Sequence, residues 1–189
     1  MPTDRPVERE IKLRFGSADE ARAAVIAAGG TPLLGRRLQE DALLDSPSEA
    51  LGQRRCALRV RMEAGRSRLT FKGPLLPGPM KLREELETVI GDGPMLLRVL
   101  EELDFRVWFR YEKYREEFTF ADVIIAIDET PIGVFVEVEG TEAGINAMAT
   151  ALGRTPSDYI VDSYRGLFLL HGRQFGVSGR DLVFQNTGE

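Results

Sequence analysis

The stretch VEREIKLRF, residues 7–15, decides how the chain folds. Successive side chains of a strand point to opposite faces. Glu8, Glu10, Lys12 and Arg14 therefore share one side, and Val7, Ile11, Leu13 and Phe15 the other. One apolar and one charged face is the signature of an antiparallel sheet. The same alternation returns further along. Arg59 and Arg61 oppose Leu58, Val60 and Met62, and Thr70 and Lys72 alternate with Leu69 and Phe71. Arg83, Glu85 and Glu87 oppose Leu82, Leu86 and Thr88. Lys113 and Arg115 share a face, and Glu137 and Glu139 alternate with Val134, Val136 and Val138.

Between these segments the chain is punctuated in an orderly way. Ser17 is placed to cap a helix that runs to Ala28 and stops at Gly29-Gly30. Residues 33–44 read as extended, up to a turn at 45–48. Residues 56–63 and 66–72 form a hairpin about Ala64-Gly65. Residues 73–79, with three prolines and two glycines, read as a loop. A strand follows at 81–90, then a helix to about Leu103, strands at 105–120, 121–130 and 133–140, and helices at 143–152 and 161–171. No repeat or second core interrupts the pattern. The reading is one α+β domain over residues 1–172: a closed antiparallel β-barrel of about eight strands with helices packed outside. Residues 173–189 form a polar tail with an apolar island at 182–184.

Composition narrows the chemistry. With 25 Lys and Arg against 30 Asp and Glu, the net charge is −5, so no global basic field draws nucleic acid. Cys56 and His171 each stand alone, which excludes a disulfide framework and a Cys-based zinc site. Any metal must rest on carboxylates, which favours Mg²⁺ or Mn²⁺. No run is long enough to cross a membrane, and residues 1–6 lack a signal-peptide core. A cytoplasmic protein with no membrane partner is expected.

Taken singly, each charged face is what a solvated sheet looks like. Taken together, they recur as Arg-x-Arg and Glu-x-Glu pairs on strand after strand. If the apolar faces pack outward against helices, the charged faces meet inside the barrel. Buried charges of both signs are costly unless compensated. A triphosphate with divalent cations compensates both: converging Lys and Arg suit its oxygens, and carboxylates suit the metal.

Glu8-Arg9-Glu10-Ile11-Lys12 resembles the Glu-x-Glu-x-Lys signature of the CYTH superfamily, the triphosphate tunnel metalloenzymes. It is followed in the family's order by Arg59-Val60-Arg61, Leu69–Pro74 (LTFKGP), Arg83-Glu84-Glu85-Leu86-Glu87, Lys113-Tyr114-Arg115, Ile127-Asp128 and residues 133–140. The match spans residue 7 to about 170 and is most similar to the branch of class IV adenylyl cyclases and thiamine triphosphatases. The resemblance implies that Lys12, Arg59, Arg61, Lys72, Arg83, Lys113 and Arg115 hold phosphates. It implies that Glu8, Glu10, Glu137 and Glu139 hold metal, with Lys72, Glu85 and Glu87 as catalytic candidates and the latter two as further possible ligands. Leu43-Leu44 stands where relatives often have an aromatic pair, and Phe118 where a tyrosine is usual, so no role of those aromatics transfers.

Three functions fit this reading. The first is a metal-dependent phosphohydrolase of tripolyphosphate, a nucleoside triphosphate or thiamine triphosphate. The second is an adenylyl cyclase forming cyclic AMP and pyrophosphate. The third is a non-catalytic polyphosphate or nucleotide binder, which the metal-type glutamates disfavour. The class IV branch also implies a homodimer. An organic group needs a surface beyond the charges, and residues 73–79 and 108–111 are the candidates. Gly91-Asp92-Gly93 lacks the third glycine of a dinucleotide fingerprint, and no Walker-A sequence occurs. His171 reads as a helix-end residue, and Cys56, Trp108, Phe109, Tyr159 and Tyr164 as packing.

Overall fold

The computed structural model describes residues 6–177 and 179–185. The strands are β1 (Val7–Phe15), β2 (Thr31–Asp45), β3 (Ala57–Glu63), β4 (Arg66–Leu76), β5 (Lys81–Ile90), β6 (Arg106–Phe120), β7 (Val123–Thr130) and β8 (Gly133–Gly140). They close into a barrel in the order β1-β5-β4-β3-β2-β6-β7-β8, every neighbour antiparallel. Closure leaves no sheet edge unpaired. The helices are α1 (Ala18–Ala27), α2 (Ala50–Gln53), α3 (Gly93–Glu102), α4 (Glu142–Ala151) and α5 (Tyr164–His171). No helix among the described residues is long and apolar enough to cross a membrane.

Local chemistry accounts for the joints. The β3–β4 hairpin turns on Ala64 (φ 46°) and Gly65 (φ 75°). Positive φ at both centres is the primed turn whose twist matches the strands it joins. Ser17 caps α1 by accepting from the Glu20 N–H at 3.1 Å. Ser163 caps α5 in the same way, so that helix begins at Tyr164 rather than at the expected 161. Within the expected loop 73–79, the first four residues continue β4. After a bulge beyond Lys72, Leu75 pairs with Arg83 and Leu76 with Leu82. Sheet pairing here overrides the Gly-Pro signal.

The outward faces of β1, β7 and β8 carry the main core. Ile11, Leu13, Ile125, Ile127, Val136 and Val138 pack under Ala21 and Val25 of α1 and Ile145, Met148 and Ala149 of α4. Phe118 is fully buried in this core. A second apolar cluster lies on the inward side. Phe109, Tyr111 and Phe135 face the barrel interior and meet Tyr164, Leu167 and Phe168 of α5. This helix closes one end of the interior instead of packing outside. His171 ends it, as its sequence position suggested. Leu182, from the apolar island in the tail, is also fully buried in this cluster and bridges Tyr111.

Candidate active site

The inward faces enclose a cavity of about 580 Å³. Lys12, Arg59, Arg61, Lys72, Arg83, Lys113 and Arg115 all line it, as do Glu8, Glu10, Glu85, Glu87, Glu137 and Glu139. Every residue singled out to hold phosphate or metal or to act in catalysis therefore reaches one space. Strand parity is the cause: each lies an even number of residues from the others on its strand, so their side chains share the inward face. Arg14 leaves the set; it is exposed, with its guanidinium 5.0 Å over the Phe135 ring and 5.1 Å over Phe175.

The charges pair across neighbouring strands. Asp41 faces Arg61 in register and accepts from its Nε and terminal nitrogen at 2.9 and 3.1 Å, both side chains buried. Asp128, fully buried, accepts from Lys113 Nζ at 2.7 Å, from Arg115 at 2.7 and 2.6 Å, and from the Tyr164 hydroxyl at 2.7 Å. Glu137 lies between Lys12, at 3.1 Å, and Arg115, which donates to it. Glu10 accepts from Lys12 at 2.6 Å and from Lys81. Lys72 donates to Glu8 and to Glu85, each at 2.6 Å. Arg83 donates to the Gly73 and Arg55 carbonyls, and Arg59 to the Thr70 hydroxyl at 3.1 Å. Arg59 Nε, buried and 3.5 Å from Asp41, has no hydrogen-bond partner among the described residues.

These surroundings sort the titratable groups. Burial, and then Glu10, push the Glu8 carboxyl up to about 8 despite Lys72. Burial and Glu10 raise Glu139 as well. Burial opposes the charge of Glu10, but Lys12 and Lys81 overcome it and hold its carboxyl below the ordinary range. Glu137 is held well below that range against burial by Lys113, Lys12 and Arg115. Burial, then Arg115, bring Lys113 down to about 8 against the pull of Asp128 and Glu137. Burial, then the negative charge of Asp128, push the Tyr164 hydroxyl far up.

Sequence reasoning assigned no role to Lys81, Arg37, Gln39, Asp41, Glu63 or Glu117, which line the cavity or, for Asp41, orient a lining arginine. Lys81 was findable, since it shares parity with Arg83 and Glu85. Asp128 was quoted in the resemblance without a role. Of the segments named for an organic group, 73–79 does not line the cavity; Trp108 does, with the Arg165 guanidinium 4.6 Å over its ring. Phe109 is buried in the second cluster, as expected of packing.

Among the described residues, no three carboxylates come close enough to form a ready-made metal-ligand set. The donor chemistry nonetheless fits a hard divalent cation. Glu8, Glu10 and Glu139 are carboxylates in one cavity, and burial, then the charge of Glu10, raises the proton affinity of Glu8 and Glu139.

The chain is a closed antiparallel barrel with a lysine- and arginine-rich interior. The CYTH domain model matches residues 7–154, and the chain belongs to that family. "Putative adenylate cyclase MJ0240" of Methanocaldococcus jannaschii is 28% identical over 141 residues, 74% of this chain and 80% of that protein. A Vibrio parahaemolyticus structure described as a putative adenylate cyclase superposes with a TM-score of 0.74 at 21% identity, covering 86% of this chain and 97% of its own. HpAC1 of Hippeastrum, described as a putative adenylyl cyclase with a dominant triphosphatase activity, superposes with a TM-score of 0.63 at 18% identity, covering 87% and 95%.

Proposed function

We propose that the protein is a metal-dependent phosphohydrolase of inorganic or organic triphosphates. The convergence of Lys12, Arg59, Arg61, Lys72, Arg83, Lys113 and Arg115 on one enclosed space carries this reading. A triphosphate presents many acceptor oxygens and several negative charges, and forked guanidinium groups from several strands match both. The unpartnered Arg59 Nε is a donor awaiting such an acceptor. Glu8, Glu10, Glu137 and Glu139 would hold Mg²⁺ or Mn²⁺, which supplies neutralisation of phosphate charge. The arginines and lysines stabilise the charge that builds as water attacks the terminal phosphorus. Lys72, which donates to Glu8 and Glu85, would meet the leaving oxygens, and Glu85 and Glu87 would be the carboxylates to receive the water's proton.

Adenylyl cyclisation of ATP is the second reading. The name of the Methanocaldococcus jannaschii relative supports it, as does Trp108 at the cavity wall, an aromatic surface that a bare triphosphate does not need. One assay separates the two. The purified protein is incubated with ATP, tripolyphosphate or thiamine triphosphate and Mg²⁺ or Mn²⁺, and the products are resolved. Orthophosphate from all three supports the hydrolase. Cyclic AMP and pyrophosphate from ATP alone would replace it with the cyclase.

A further inference from the structure

Almost every acceptor on the cavity wall is a carboxylate already held by a cation. Gln39 is different. It sits on β2 between Arg37 and Asp41, opposite Glu63 on β3 and Lys113 on β6, and is 2% exposed. Its Nε2 donates to Glu63, whose other oxygen accepts from Arg37 Nε. Burial opposes the charge of Glu63, yet the hydrogen bonds from Arg37 and Gln39 hold its carboxyl below the ordinary range. An ionised carboxylate only accepts, so the amide orientation is fixed: nitrogen to Glu63, oxygen away from it. That oxygen, Oε1, is buried and meets no donor among the described residues.

A buried acceptor without a donor costs stability. Fully ionised phosphate oxygens cannot relieve it, because they are acceptors too. The partner must carry an O–H or N–H. Hydrolysis brings one such group into the tunnel: the attacking water.

We infer that Gln39 is a positioning residue that accepts one O–H of the nucleophilic water and so aims its lone pair at the terminal phosphorus. This rests on the hydrolase reading above. The water oxygen forms the new bond to phosphorus, and the bridging P–O bond breaks with its electron pair going to the leaving phosphate chain. The proton released passes to a cavity carboxylate, as proposed for Glu85 and Glu87. The neutral amide gains and loses no proton. Arg37 and Glu63 hold the amide in place, so orientation is set before substrate arrives.

The test is steady-state hydrolysis of tripolyphosphate with Mg²⁺, alongside the rise in melting temperature that tripolyphosphate induces. Gln39→Met keeps the size of the side chain and removes the acceptor. It should lower kcat at least about tenfold, the value of one oriented hydrogen bond, with KM within about twofold and the thermal shift unchanged. Glu63→Gln lets the two amides pair either way round, so its kcat should fall between those of Gln39→Met and the wild type; it also serves if Gln39→Met folds poorly. An unchanged kcat in both variants overturns the inference. So does a raised KM at constant kcat, which would make Gln39 a contact to the bound phosphates. A wild type that binds tripolyphosphate and hydrolyses no triphosphate defeats the hydrolase reading itself, and the inference with it, before any variant is made.

Discussion

Glu8 lines the cavity and Asp128 lies behind its wall, and the chain holds the two carboxylates in opposite ways. Asp128 is sealed on β7, takes hydrogen bonds from Lys113, Arg115 and Tyr164, and belongs to a wall in which charges are matched. Glu8 lies on β1 beside Glu10, with Lys72 shared between it and Glu85, and burial plus a neighbouring carboxylate raise its proton affinity. The difference is partly one of reach. Asp41 and Asp128 are too short to enter the lumen and fix the arginines that do, whereas the longer glutamates on β1, β5 and β8 project among the lysines. One wall presets the geometry of the cations. The other leaves charge out of balance, and that imbalance is what a bound cation or anion would correct.

The widest gap between the walls should appear in stability. Asp128→Asn leaves Lys113 and Arg115 buried with much of their counter-charge gone, and breaking a buried pair costs about 3–5 kcal/mol. Urea unfolding at pH 7 should show that loss, against a much smaller one for Glu8→Gln. Equal losses would erase the distinction between a structural and a ligand-facing wall.

Ligand binding should reverse the ranking. Tripolyphosphate should raise the melting temperature of the wild type by linkage. Arg59→Ala removes a donor with no partner at its Nε, so it should weaken tripolyphosphate binding about 10- to 100-fold, as loss of a charge-assisted hydrogen bond does. Arg59 also pairs with Asp41, Glu85 and Glu87, so the variant should lose stability without ligand too, and the loss of binding is read by calorimetry on the folded variant. Replacing the exposed Arg98 by Ala is the control and should change neither. A thermal shift that survives Arg59→Ala intact would place the anion elsewhere.

The pH dependence tests the Glu8 side directly. With its carboxyl raised from 4.5 to about 8, the folded protein keeps a proton that the unfolded chain has released between those values. Stability from this group is therefore full below pH 4.5 and is lost as pH rises to 8. Glu10 and Glu137, both depressed, work the other way, and their contribution is lost only as pH falls below the carboxylate range. Melting at pH 5, 6.5 and 8 should show Glu8→Gln abolishing much of the decline toward pH 8 while leaving the acid limb. An unchanged decline would mean that Glu8 is not the strained carboxylate.

The two walls were also unequally legible. Residues 7–15, 59–61, 83–87 and 137–139 advertise themselves, because a charged face with period two, repeated on many strands, has few solutions other than a barrel. The cavity followed from the same parity. Asp41 and Asp128 did not announce a role: the second is one acid ending the apolar run Ile124-Ile125-Ala126-Ile127, and nothing local says it will meet two cations from another strand. The α5 closure was hidden for a related reason. At that end of the barrel the inward residues become Phe109, Tyr111 and Phe135, so alternation persists in direction but loses its contrast in polarity. The continuation of β4 past Gly73-Pro74 depends on pairing with β5, a contact that turn propensity does not see.

The smallest expected effect is also the most discriminating. Tyr164 comes from the helix that closes the barrel, and its hydroxyl donates to Asp128 at 2.7 Å while its ring lies about 5 Å from both Lys12 and Lys113. Tyr164→Phe keeps the ring, and with it the cation–π contacts and the packing against Phe135. Only one hydrogen bond to an ionised group is lost, worth about 1.5 kcal/mol. Asp128 retains Lys113 and Arg115, so those cations should stay where they are. Unfolding should therefore register a loss of about that size, while tripolyphosphate affinity measured by calorimetry stays within about twofold of the wild type. A large loss of affinity would mean that Tyr164 acts on the ligand itself, and the Asp128 wall would have to be counted as part of the phosphate grip.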